Sequence, residues 1–113
     1  MKRSALRRTK GLNPTPLAKV NRKRKAKDWH KHFGSVSRVL AVNALGCAVC
    51  REGPSENAHV RSRAAGGTWR DVVPLCWWHH REQHAIGWET FRRRYPDRDF
   101  DALAARLAVE LRP

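Results

Sequence analysis

Residues 47–84, CAVCREGPSENAHVRSRAAGGTWRDVVPLCWWHHREQH, hold all three cysteines of the chain and four of its six histidines. Two residues separate Cys47 from Cys50, and Cys76 and His79 repeat that spacing. Two such pairs on short turns have zinc-knuckle spacing. Thiolate and imidazole suit a tetrahedral zinc ion, and Cys3His is an ordinary closed structural set. The bland alternative makes the cysteines small buried hydrophobes and His79 a surface residue, but four ligand-type residues at paired spacing weigh against it. With 113 residues the chain forms at most one small domain and a modest core, so a structural metal would help stabilise it.

Three histidines of the segment remain after that set is taken. His80 and His84 are four apart, which places them on one face of a helix, where both can hold a single metal. His59 lies upstream in NAHVRS, at the end of an expected strand, and Asp71 sits between.

This order, threaded through two knuckles, resembles the HNH (ββα-metal) endonucleases, and within them a phage and prophage group similar to the phage recombination-enhancement nuclease. The resemblance covers about residues 45–111. It rests on the CxxC, on AHVR followed by GG, on DVVPLCWWHHREQH, and on GWETF with the later DFDALAARLA. It implies an α+β fold: a small zinc-stabilised ββα-metal core, residues 33–113, with flanking helices. It further implies a DNA phosphodiester hydrolase in which His59 is the general base and His80 and His84 hold a catalytic divalent ion. Mg2+ or Mn2+ is the expected working ion, with Zn2+ or Ni2+ also tolerated by imidazole. In register, His79 stands where the family has its second zinc cysteine and His80 at the family's final histidine. Two departures follow. Ala58 replaces the usual carboxylate or histidine before the first motif histidine, and Asp71 replaces the central asparagine. Asp71 thereby becomes the candidate third metal ligand, with orientation of His59 as its alternative role.

The formal charge is +14 and is unevenly placed. Residues 1–32 carry twelve Lys or Arg against one acid, and residues 33–113 carry twelve against nine. A polyanion partner follows, because neutralised phosphates release counterions. Residues 1–32 are expected to be a basic flexible arm, disordered over 1–27, with Arg22, Lys23, Arg24 and Lys25 on DNA backbone. Arg61 and Arg63, two apart on the expected strand, would share a face with His59 and meet the phosphate.

Three cysteines exclude a complete disulfide framework. No apolar run reaches the ~18 residues of a membrane span, and the first residues lack the apolar core of a signal peptide. The expectation is a cytoplasmic protein of a bacterial host or phage, monomeric, acting on DNA without a membrane partner. A recombination or packaging protein is a further partner class.

Along the chain, helices are expected at about 35–43 and 77–85, and strands at about 57–61 and 71–75. Gly87 should end the second helix. Trp88, Phe91 and Tyr95 should line a short third one stopped by Pro96, and Asp99 or Asp101 should cap a last one with Leu103, Leu107 and Leu111 on its apolar face. Trp77 and Trp78 are expected to pack against the core rather than to stack on bases. His30 and His32 read as surface residues. Two competing readings stand beside the nuclease: a non-catalytic zinc-stabilised nucleic-acid-binding module, and a ribosome-associated zinc ribbon.

Overall fold

The computed structural model of the chain describes residues 22–113. Its elements run α1 (Arg22–Phe33), α2 (Val36–Asn43), β1 (Ser55–His59), β2 (Val72–Cys76), α3 (Trp77–Arg94) and α4 (Phe100–Glu110). The two strands form one antiparallel sheet, from Ser55 opposite Cys76 to His59 opposite Val72. Period-two alternation then sorts the side chains. Ala58, Val73 and Leu75 turn to one face, where Phe91, Phe100 and Ala104 of α3 and α4 complete the core. Asn57 turns to the other face and donates to the Val39 carbonyl of α2. The small sheet is thus covered on both sides, which a two-stranded hairpin needs in order to persist.

Gly87 breaks α3, at φ 83° and ψ 158°. Glu82 accepts from Arg94 at 2.6 Å and from the Tyr95 hydroxyl at 2.7 Å. Twelve residues of straight helix would span about 18 Å, so the Glu82–Arg94 bond shows that the two arms, 77–86 and 88–94, fold back on each other. Burial and the Glu82 carboxylate push the Tyr95 phenol up to about 12. The second arm supplies the aromatic core: Phe91 lies 5.4 Å from Phe100 and 4.9 Å from Tyr95 between ring centroids. Fully burying such a ring stabilises by roughly 1.5–3 kcal/mol.

Asp99 caps α4, accepting from the Ala102 amide at 2.9 Å. The helix buries Phe100, Ala104 and Leu107 rather than the Leu103, Leu107 and Leu111 stripe. The residue that sets its rotation is Phe100, which the leucine spacing leaves out. Ser35 caps α2 by accepting from the Arg38 amide. Arg38 itself is buried; its Nε donates to the Leu111 carbonyl at 2.5 Å and its guanidinium lies 5.0 Å from the Trp69 ring, tying α2 to the end of α4.

The basic stretch departs from expectation. Residues 22–27, read as part of a flexible arm, begin α1, which carries the chain through Trp29, His32 and Phe33 onto the domain. Lys, Arg and Ala are good helix formers, and Trp29 and Phe33, four apart, bring their rings to 5.5 Å. The helix is then held at its end, where His32 Nδ1 meets the Gly67 carbonyl at 2.9 Å. The rest of the arm, residues 1–21, lies outside the described residues. No helix among the described residues is long and apolar enough to cross a membrane.

Candidate metal centre and histidine cleft

The turn that presents Cys47 and Cys50 is built by backbone. Cys47 donates its amide to the Glu52 carbonyl at 3.0 Å, and the Arg51 amide returns to the Cys47 carbonyl at 2.8 Å. A Cβ at Gly46 would sit 2.3 Å from the Arg51 carbonyl oxygen, so this approach requires glycine. Cys76 ends β2 and is also the N-cap of α3, which puts its thiolate at the positive end of a helix, and His79 follows one turn later. The ligand atoms of Cys47, Cys50, Cys76 and His79 all lie within 4.8 Å of one another.

The separations fit one ion. Cys76 Sγ is 3.2 Å and Cys47 Sγ 3.6 Å from His79 Nδ1, and Cys50 Sγ is 3.9 Å from Cys76 Sγ. Zn–S bonds of about 2.3 Å and Zn–N bonds of about 2.0–2.1 Å give tetrahedral edges of roughly 3.5–3.8 Å. The group can therefore hold a metal such as zinc. Burial pushes the Cys47 thiol up, but the backbone amides of Cys50, Cys76 and Val49 outweigh it and the net shift is downward, towards the ligating thiolate.

A second assembly lies across the hairpin. His59, His80 and His84 line one cleft of about 580 Å³, together with Phe33, Asn57, Arg63 and Trp88. His59 Nε2 stands 2.7 Å from the His32 carbonyl of α1. A carbonyl only accepts, so Nε2 carries the proton and Nδ1 is left with the lone pair. Burial is the main force lowering the pKa of His59, and the positive charge of Arg63 adds to it. The ring is therefore neutral, with a free basic nitrogen. Trp88 Nε1 donates to the His59 carbonyl at 2.7 Å and fixes the end of the strand.

His80 Nδ1 lies 2.7 Å from Glu56 Oε1. The carboxylate accepts, so His80 presents its Nε2 lone pair, and this nitrogen is 3.2 Å from His84 Nε2. Two imidazole nitrogens at about 2.0–2.1 Å from one ion would stand roughly 2.9–3.4 Å apart. The pair thus has the bite of a chelate, and Glu56 fixes its tautomer.

Three expectations need correction. Asp71 is not among the residues lining the cleft. Its carboxylate accepts from the Thr68 amide at 2.9 Å in a capping box, and it reaches His59 only through its charge, which raises that pKa. The carboxylate that meets the histidine pair is Glu56. Arg61 and Arg63 do not lie on the strand, because β1 ends at His59. Arg63 opens a short 3-10 turn and lines the cleft, whereas Arg61 donates to the Ala65 carbonyl at 3.0 Å. Trp77 and Trp78 do not join the core. They are 54% and 69% exposed, while Phe91 and Phe100 supply the aromatic part of the core. Arg22, Lys23, Arg24 and Lys25 are exposed on the first turn of α1.

Sequence reasoning missed His32, Phe33 and Glu56. Glu56 was within reach of it, since it stands two residues before Ala58 and so on the same strand face. A scan against protein-family models found no match, and searches of curated proteins and of solved structures found none.

Proposed function

We propose that the chain is a metal-dependent DNA endonuclease of the HNH (ββα-metal) type. The observation that carries this reading is the cleft in which a neutral His59, with its Nδ1 lone pair free, faces the same space as the His80–His84 pair. The order hairpin then helix, β1–β2–α3, is the one such a core needs.

His59 Nδ1 takes the proton of a water that attacks the phosphorus; the bond to the 3′ oxygen breaks, and the leaving oxygen takes a proton from solvent. His80 and His84 would hold the divalent ion, which supplies charge stabilisation to phosphate and leaving group. Arg63, on the rim, offers a guanidinium to the nonbridging oxygens. The high positive charge of the chain draws the polyanion in. Incubation with plasmid, linear and single-stranded DNA across Mg2+ and Mn2+ tests the reading; no cleavage under any metal would end it.

A second reading draws on a specific observation. Among the described residues no carboxylate lines the cleft: Asp71 is committed to its capping box, and Ala58 is buried against the core. In that reading the chain is a zinc-stabilised nucleic-acid-binding module without catalysis. Metal stoichiometry separates the two, at two ions per chain for the nuclease and one for the module.

Glu56→Gln tests the chelating pair. Partners that orient a ligating imidazole typically contribute 10- to 100-fold to metal affinity. Calorimetric titration with Mn2+ is expected to show about that loss, with zinc content unchanged.

A further inference from the structure

Trp77 and Trp78 open α3 with 54% and 69% of their surface exposed and ring centroids 5.9 Å apart. The Arg81 guanidinium lies 4.7 Å from the Trp77 ring. The rings border a cavity of about 460 Å³ that is lined as well by Cys50, Cys76 and His79 of the metal centre and by the Glu52–Gly53–Pro54 turn. Neither ring joins the core cluster. Two large exposed aromatics beside a cation cost solvation unless something flat covers them.

Their place on the helix says what that is. Trp77, His80 and His84 stand at i, i+3 and i+7, one stripe of a single helix face, and Arg81 is four residues from Trp77. At ~1.5 Å rise per residue, Trp77 is about 4.5 Å along the axis from His80 and about 10.5 Å from His84. A stacked strand advances about 3.4 Å per nucleotide and an unstacked one further, so a base on Trp77 lies within about three nucleotides of a phosphate held at the histidine pair. Glu52 on the cavity rim disfavours phosphate there, which leaves the base to cover the ring. A base inside a duplex has both faces covered by its neighbours. Only one that has left the stack can lie on an indole.

We propose that Trp77, extended by Trp78, is a stacking platform for an unpaired base flanking the phosphate held at the histidine cleft, so that the preferred DNA carries a gap, flap or single-stranded end. This deepens the nuclease reading and rests on it for the position of the phosphate. The test is binding without cleavage. Zinc-loaded full-length protein, with no Mg2+ or Mn2+ added, is titrated by fluorescence anisotropy against a duplex and against the same duplex with a short gap, at one salt concentration.

Stacking on an aromatic ring is worth about 5- to 150-fold in affinity per base. The wild type is expected to prefer the gapped DNA by about tenfold. Trp77→Ala should remove that preference and change duplex binding less than about twofold; Trp77→Phe should retain most of it. Equal affinity of the wild type for both DNAs, or equal weakening on both by Trp77→Ala, overturns the proposal. Zinc content of the variants, expected unchanged, checks that the knuckle beside Trp77 is intact. The preference surviving in a protein that cuts nothing with added Mn2+ would sink the nuclease reading and leave the platform standing. Cutting that ignores the Trp77 variants would do the reverse.

Discussion

His59→Ala is expected to lower DNA cleavage by about 10²- to 10⁴-fold, the usual contribution of a placed general base, with zinc content unchanged. The imidazole is committed on one side only: Nε2 is tied to the His32 carbonyl, and Nδ1 is left to take a proton. Alanine also removes the contact with the Phe33 ring, 5.2 Å away between centroids, and so loosens the end of α1. His59→Gln separates the two effects. Its amide can still donate to the His32 carbonyl but holds no basic nitrogen, so the helix should stay docked while cutting is lost. Full activity in either variant, in single-turnover cleavage of plasmid DNA, overturns the role.

The same residue sets a pH dependence. Burial first, then the charge of Arg63, holds His59 below its ordinary value of 6.5. The base therefore stays unprotonated, and the acid limb of the cleavage profile should fall below pH 6.5. Stability follows the same sign. Between the folded value and 6.5 the unfolded chain binds more protons, so this contribution is complete above pH 6.5 and is lost as pH drops through that window.

Stripping the ion from Cys47, Cys50, Cys76 and His79 is expected to unfold the domain. Structural zinc sites contribute about 10–16 kcal/mol of apparent binding free energy at neutral pH. Whole domains of ordinary size hold only about 5–15 kcal/mol of net stability. The site also ties the Cys47 turn, whose Ala48 amide donates to the Pro74 carbonyl of β2, to the junction of β2 and α3. Without the ion, three thiols and an imidazole crowd together with Cys47 buried, and their attraction to a cation is gone. Circular dichroism during chelator titration, and Cys47→Ser in parallel, should both show loss of the cooperative thermal transition. A metal-free chain that melts at the temperature of the zinc form would refute this.

The Cys3His group was legible because ligand spacing on short turns is a local property, needing no knowledge of what packs where. The hairpin and the helix after it were legible for a similar reason, from turn residues and the apolar run Val72 to Leu75. What stayed hidden depends on long-range packing. The docking of α1 on the cleft rests on single contacts made by His32 and Phe33, which no periodicity marks. Asp71 looked like a ligand by position in a motif, but a threonine three residues earlier offered its carboxylate a nearer partner. Trp77 and Trp78 look like core by composition, yet the aromatic core comes from the arm beyond Gly87 and from α4, through Phe91 and Phe100.

His79 and His80 are consecutive, yet one belongs to the thiolate cage and the other to the cleft. Successive residues of a helix are turned by about 100°, so a single turn of α3 serves both centres, and its phase is set where Cys76 caps the helix and His79 joins the Cys3His group. One residue inserted between Cys76 and His84 would rotate the cleft pair off target while leaving the fold's hydrophobicity untouched. The segment is thus intolerant of any change in length.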